Sequence, residues 1–94
     1  MKLEDVRKEI DALDPQIKTL ILRRMDCSLE VAKAKQAAGE TTIYRRDREK
    51  AILDRLGADV PADRLPEYLA VVRKIMETSR MFQYGLLFDW NPDL

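Results

Sequence analysis

Histidine is absent from the 94-residue chain, and cysteine occurs once, as Cys27. The first absence removes imidazole acid–base chemistry, the nucleophile systems built on it and the usual zinc sites. The second excludes an internal disulfide and suits a reducing compartment. Glycine (3), proline (4) and aromatic residues (6%) are sparse. With no alternating apolar–polar run, that composition predicts an all-α domain. Neither sign of charge is in excess, at 17 Lys+Arg against 17 Asp+Glu. A balanced chain argues against an electrostatic binder of nucleic acid or membrane surface. No apolar run reaches membrane-spanning length, and Met1-Lys2-Leu3-Glu4-Asp5 has no apolar leader core. The expectation is a soluble, cytoplasmic protein. The length allows a single domain, residues 1–94, and its poor surface-to-volume ratio makes oligomerisation expected.

Apolar residues follow a heptad from Leu3 through Val6, Ile10, Leu13, Ile17 and Leu20 to Cys27, Val31 and Ala34, as far as Gly39. Pro15 interrupts the run, because proline removes a backbone donor and crowds the preceding turn. The phase continues across it, so one long helix is expected, kinked there if anywhere. A short second helix is expected from about Arg45 to Leu56, stopped at Gly57, with Ile52, Leu53 and Leu56 as its stripe. A third is expected from near Pro66 towards Phe88, with Leu65, Leu69, Val72, Ile75, Met76, Phe82 and Leu86 inward, leaving 88–94 as a loose tail. A first helix of about 35 residues would be roughly 50 Å long. That outruns a compact protomer of this size, so an intertwined homodimer is the simplest way to cover its stripe.

The stripes are broken by polar groups. Arg24 stands at a heptad position, and Lys35, eleven residues on, returns to within roughly 20° of it. Ser79 and Gln83 interrupt the third stripe as i, i+4 neighbours, and Glu49 shares a face with Ile52, Leu53 and Leu56. A single polar residue at such a position often only sets register. Five across three helices are harder to read that way. Buried cations want an anion, and one carboxylate cannot neutralise both Arg24 and Lys35. Residue chemistry therefore points to a pocket for a small acidic ligand.

The ordered set Arg7…Ile10…Leu13-Asp14, Leu22-Arg23-Arg24…Val31-Ala32-Lys33-Ala34-Lys35, Ile43-Tyr44…Arg48-Glu49 and Ile75…Ser79-Arg80…Gln83 resembles the all-helical chorismate mutases. The likeness runs from about Leu3 to Leu87. It implies a homodimer of three-helix protomers, with two active sites each built from both chains. The reaction implied is the Claisen rearrangement of chorismate to prephenate, an isomerase step in phenylalanine and tyrosine biosynthesis. It needs no metal or cofactor.

On that resemblance Arg24 and Arg7 would grip the substrate carboxylates, and Lys35 and Gln83 would donate to the ether oxygen as the C–O bond breaks. Glu49 would accept from the ring hydroxyl, Ser79 would contact a carboxylate, and Arg48 would support it or Glu49. Arg45 departs from the pattern, since some members carry aspartate there, and any contact it makes would run through backbone. Pro15 is a second departure. Two other readings stand beside this one: an isochorismate-pyruvate lyase on the same fold, or a non-catalytic helical dimer regulating a shikimate-pathway enzyme. Glu49 disfavours the first, because the lyases lack a carboxylate there. The presence of both Lys35 and Gln83 disfavours the second.

Overall fold

The computed structural model describes residues 1–93, and the expected tail residue Leu94 lies outside them. Three helices account for the architecture: α1 (Leu3–Ala37), α2 (Arg46–Gly57) and α3 (Leu65–Trp90). No strand occurs among the described residues, so the fold is all-α. Helix α3 packs against both α1 and α2, which make no contact with each other among the described residues.

Helix α1 passes through Pro15 without a break. The amide that proline lacks leaves the ladder one donor short. Nearby, Gln16 Nε2 donates to the Ala12 carbonyl and Thr19 Oγ1 to that of Pro15, both at 3.0 Å. At its other end α1 closes in a Schellman turn. Glu40 N–H donates to Lys35 O (2.8 Å) and Gly39 N–H to Gln36 O (3.1 Å). Gly39 carries φ +69°, a left-handed conformation that glycine adopts without a Cβ clash. The turn sends the 38–45 segment back across the end of α1.

The seam within the protomer is not the heptad face of α1. Its buried residues are Ser28 and Ala32, two small side chains one turn apart, while Val31 and Cys27 stay exposed. Small residues let the α3 backbone approach closely. From α3 the buried set is Val72, Met76, Gln83 and Leu87. The expected inward residue Leu86 is only half-buried, and its neighbour Leu87, 2% exposed, takes the core position. Against α2, Gly57 is where a Cβ would come within 3.2 Å of the Leu69 side chain.

The end of α3 corrects the expectation of a loose tail from residue 88. The helix runs on to Trp90, and Asn91 caps it through the Leu87 carbonyl (2.8 Å). Asn91 also exchanges two amide hydrogen bonds with Gln36, at 3.1 and 2.5 Å, tying the two helix ends together.

Among the described residues, the N-terminal half of α1 has no packing partner in the protomer. Ile10, Leu13, Ile17 and Leu20 are all about half exposed or more, Leu20 at 62%. The protomer measures 56 × 26 × 16 Å, with a radius of gyration of 16.9 Å. A compact chain of this length would have about 12 Å.

Candidate active site

The C-terminal half of α1, the start of α2 and the middle of α3 enclose a cleft of about 460 Å³. Of the eight residues singled out from sequence, seven line it: Arg24, Lys35, Arg45, Arg48, Glu49, Ser79 and Gln83. Arg7 does not. It lies on the same unbroken helix, 28 residues before Lys35 (35 − 7), or roughly 42 Å at the α-helical rise.

Lys35 is placed by the Schellman turn. Its ammonium donates to the Thr42 carbonyl and stands 3.9 Å from the Glu40 carboxylate, and its side chain is 16% exposed. An ammonium has three donors, so the bond to Thr42 leaves donor capacity to spare. Gln83 is buried and donates through Nε2 to Ser79 Oγ (3.1 Å), which leaves its second amide hydrogen free of that bond. Ser79 and Ser28 share a 2.7 Å hydrogen bond, and Ser28 Oγ donates to the Arg24 carbonyl (3.2 Å). Either hydroxyl can be the donor between the two serines. With Ser28 as the donor, the Ser79 proton is free for a ligand carboxylate.

The cleft wall carries five cations, Arg24, Lys35, Arg45, Arg48 and Arg80, against one carboxylate, Glu49. Arg80 pairs with Glu49, and this bond holds the guanidinium above its ordinary pKa. Arg45 turns to Asp47 (3.0 Å), which raises the arginine and lowers the carboxyl below the usual range. Among the described residues, no ion pair engages Arg24 or Arg48. The cleft thus presents excess positive charge beside hydroxyl and amide donors, an arrangement that suits a small dianion.

Sequence reasoning missed Arg80 and Ser28. Arg80 is four residues after Met76 and three before Gln83, so it stands in core register. The rule that flagged Arg24 identifies it equally well. Glu49 takes its guanidinium partner from Arg80 on α3, not from its chain neighbour Arg48. Ser28 is four residues from both Arg24 and Ala32, where a small residue resembles ordinary helix filling. No described helix is long and apolar enough to cross a membrane.

The family model described as chorismate mutase type II matches residues 6–84, which contain every residue lining the cleft. The chain is 36% identical over 61 residues to the intracellular chorismate mutase of Mycobacterium tuberculosis, covering 62% of this chain and 57% of that protein. It is 37% identical over 54 residues to the intracellular chorismate mutase of Mycolicibacterium smegmatis, covering 57% of this chain and 51% of that protein. The chain thus spans little more than half the length of the curated relatives it matches. No solved structure matches it. Three helices arranged around a cationic cleft, and a family match that takes in all of its lining, lead to one assignment: the chain belongs to the type II chorismate mutase family.

Proposed function

We propose that this protein is a chorismate mutase that rearranges chorismate to prephenate. The observation that carries the reading is the cleft's charge: among the described residues Arg24 and Arg48 line it with no ion pair, and Lys35 joins them with only Glu40, 3.9 Å away, as partner, where the ligand is a dianion. In the rearrangement the ether C–O bond breaks as a C–C bond forms within one molecule. Electrons are redistributed, no proton moves and no redox partner is involved. The protein's task is to hold the compact conformer and to stabilise charge as it develops on the ether oxygen.

Arg24 binds one carboxylate, and Arg48 lies within the same cleft to bind or steer the ligand. Lys35 and Gln83 supply the donors to the ether oxygen, each with donor capacity left over from its internal bond. Donors already in place at the developing charge act more strongly on the transition state than on the ground state. Glu49 accepts from the ring hydroxyl. Ser79 joins a carboxylate contact, and Arg45 contributes at the rim.

Arg7 enters this scheme through a second copy. The bare stripe Ile10, Leu13, Ile17 and Leu20 supports an antiparallel homodimer, in which Arg7 of each protomer reaches the other's cleft. The names of the mycobacterial relatives and the lone cysteine support a cytoplasmic location. The test is to mix the protein with chorismate, follow loss of its ultraviolet absorbance and identify the product. Prephenate is expected. Intact chorismate would overturn the reading, and salicylate with pyruvate from isochorismate would redirect it to the lyase.

A further inference from the structure

Glu49 is the one carboxylate on a wall of cations, and an untethered glutamate there could swing to any of them. Arg80 tethers it. Its Nη1 donates to Glu49 Oε1, and among the described residues no hydrogen bond engages Oε2. The two side chains are only 27% and 19% exposed. The guanidinium is itself held, lying over the Tyr44 ring at 4.5 Å from its centroid. The backbone amides of Tyr44 and Ile43 donate to the Tyr84 hydroxyl, each at 3.3 Å. Arg80 and Tyr84 are i, i+4 neighbours on α3. One turn of that helix therefore fixes the 38–45 segment, the guanidinium plane and the carboxylate in sequence.

We propose that Arg80 is a positioning residue: by occupying Oε1 of Glu49 it presents Oε2 to the cleft as the acceptor for the ligand's hydroxyl. This rests on the chorismate reading above. Arg80 acts through Glu49 and need not touch the ligand. Its second face is taken by Tyr44, and its charge is already answered by the carboxylate.

A hydroxyl contact is made in the ground state and the transition state alike, so its loss raises KM more than it lowers kcat. A hydrogen bond to a charged group is typically worth about 10–100-fold in an equilibrium constant. Arg80→Met is therefore expected to raise KM for chorismate about tenfold or more, with a smaller change in kcat. Arg80→Lys keeps the charge but loses the planar fork and its place over the Tyr44 ring, so it should recover only part of that KM. In a Glu49→Gln background the Arg80→Met effect should shrink to under about twofold, since coupled residues are not additive. Melting curves for every variant fix an assay temperature at which each is folded. If Arg80→Met does not fold, the same cycle run with Arg80→Lys carries the test.

An unchanged KM in Arg80→Met, with the wild-type protein active, would overturn the positioning role alone. Losses that multiply across the cycle would overturn it too, by showing Arg80 acting independently of Glu49. A wild-type protein that leaves chorismate intact would overturn the parent reading, and this proposal with it.

Discussion

Lys35 would have two tasks at once, since it pins the Thr42 carbonyl and, on the proposed reading, also donates to the ligand. Its removal should therefore cost more than a rim charge would. Lys35→Ala is expected to lower kcat for chorismate by about 10²–10³-fold, the usual loss for one donor aimed at developing charge. A steady-state assay at saturating substrate checks it. Glu49 is expected to behave differently, because its part is to accept. Glu49→Gln keeps an acceptor and should raise KM less than Glu49→Ala, and equal losses would show that charge is what matters. These residues were legible for one physical reason: an arginine, lysine or glutamate in an apolar register must have a partner. Ser28 carries no such conflict, and its hydroxyl bond to Ser79 is set by tertiary contact across 51 residues. Arg80 had the conflict, but the signal was read only from the residues on either side of it.

The helices were legible as elements because their apolar phase persists where propensity alone would hesitate. The heptad crosses Pro15, and so does α1. The end of α3 was not legible, because Asn91 is held by Gln36 of α1, a partner 55 residues away that no local pattern reveals. Two substitutions test how the elements hold the cleft's rim. Gly39→Ala finds nothing within 4 Å of its new Cβ, yet it forces a φ of +69° on a residue that resists it. A loss of about 1–2 kcal/mol is expected in chemical denaturation. Tyr84→Phe removes the acceptor shared by the Ile43 and Tyr44 amides, and Ile43 is buried. It should cost about 1–3 kcal/mol of stability by the same measurement, with a rise in KM as the Tyr44 ring leaves Arg80.

For the whole molecule the decisive quantity is length. The protomer is a rod 56 Å long with a bare apolar stripe over half of its main helix, the face that the proposed dimer would cover. The long helix and its exposed stripe followed from the sequence, since a helix of that size cannot be wrapped by so short a chain. Arg7→Ala and Lys35→Ala, each expected to be nearly inactive, should complement when unfolded and refolded together. Random pairing makes about half the dimers mixed, and each mixed dimer holds one intact site. Recovered activity should approach about a quarter of wild type on that arithmetic. If Arg7 serves its own chain, co-refolding restores nothing.

The bare half of α1 would also set how the proposed dimer assembles. Residues 3–14 precede Pro15, and of their side chains only Val6 is even half-buried within the protomer. A helical segment of about a dozen residues is marginal in water without packing. Its amides should therefore exchange with deuterium almost freely in dilute protein, and slow sharply once a second copy covers them. Protection in the Ser28–Ala32 region, set by α3, should barely depend on concentration. One helix would then report two equilibria, its C-terminal half reading folding and its N-terminal half reading assembly.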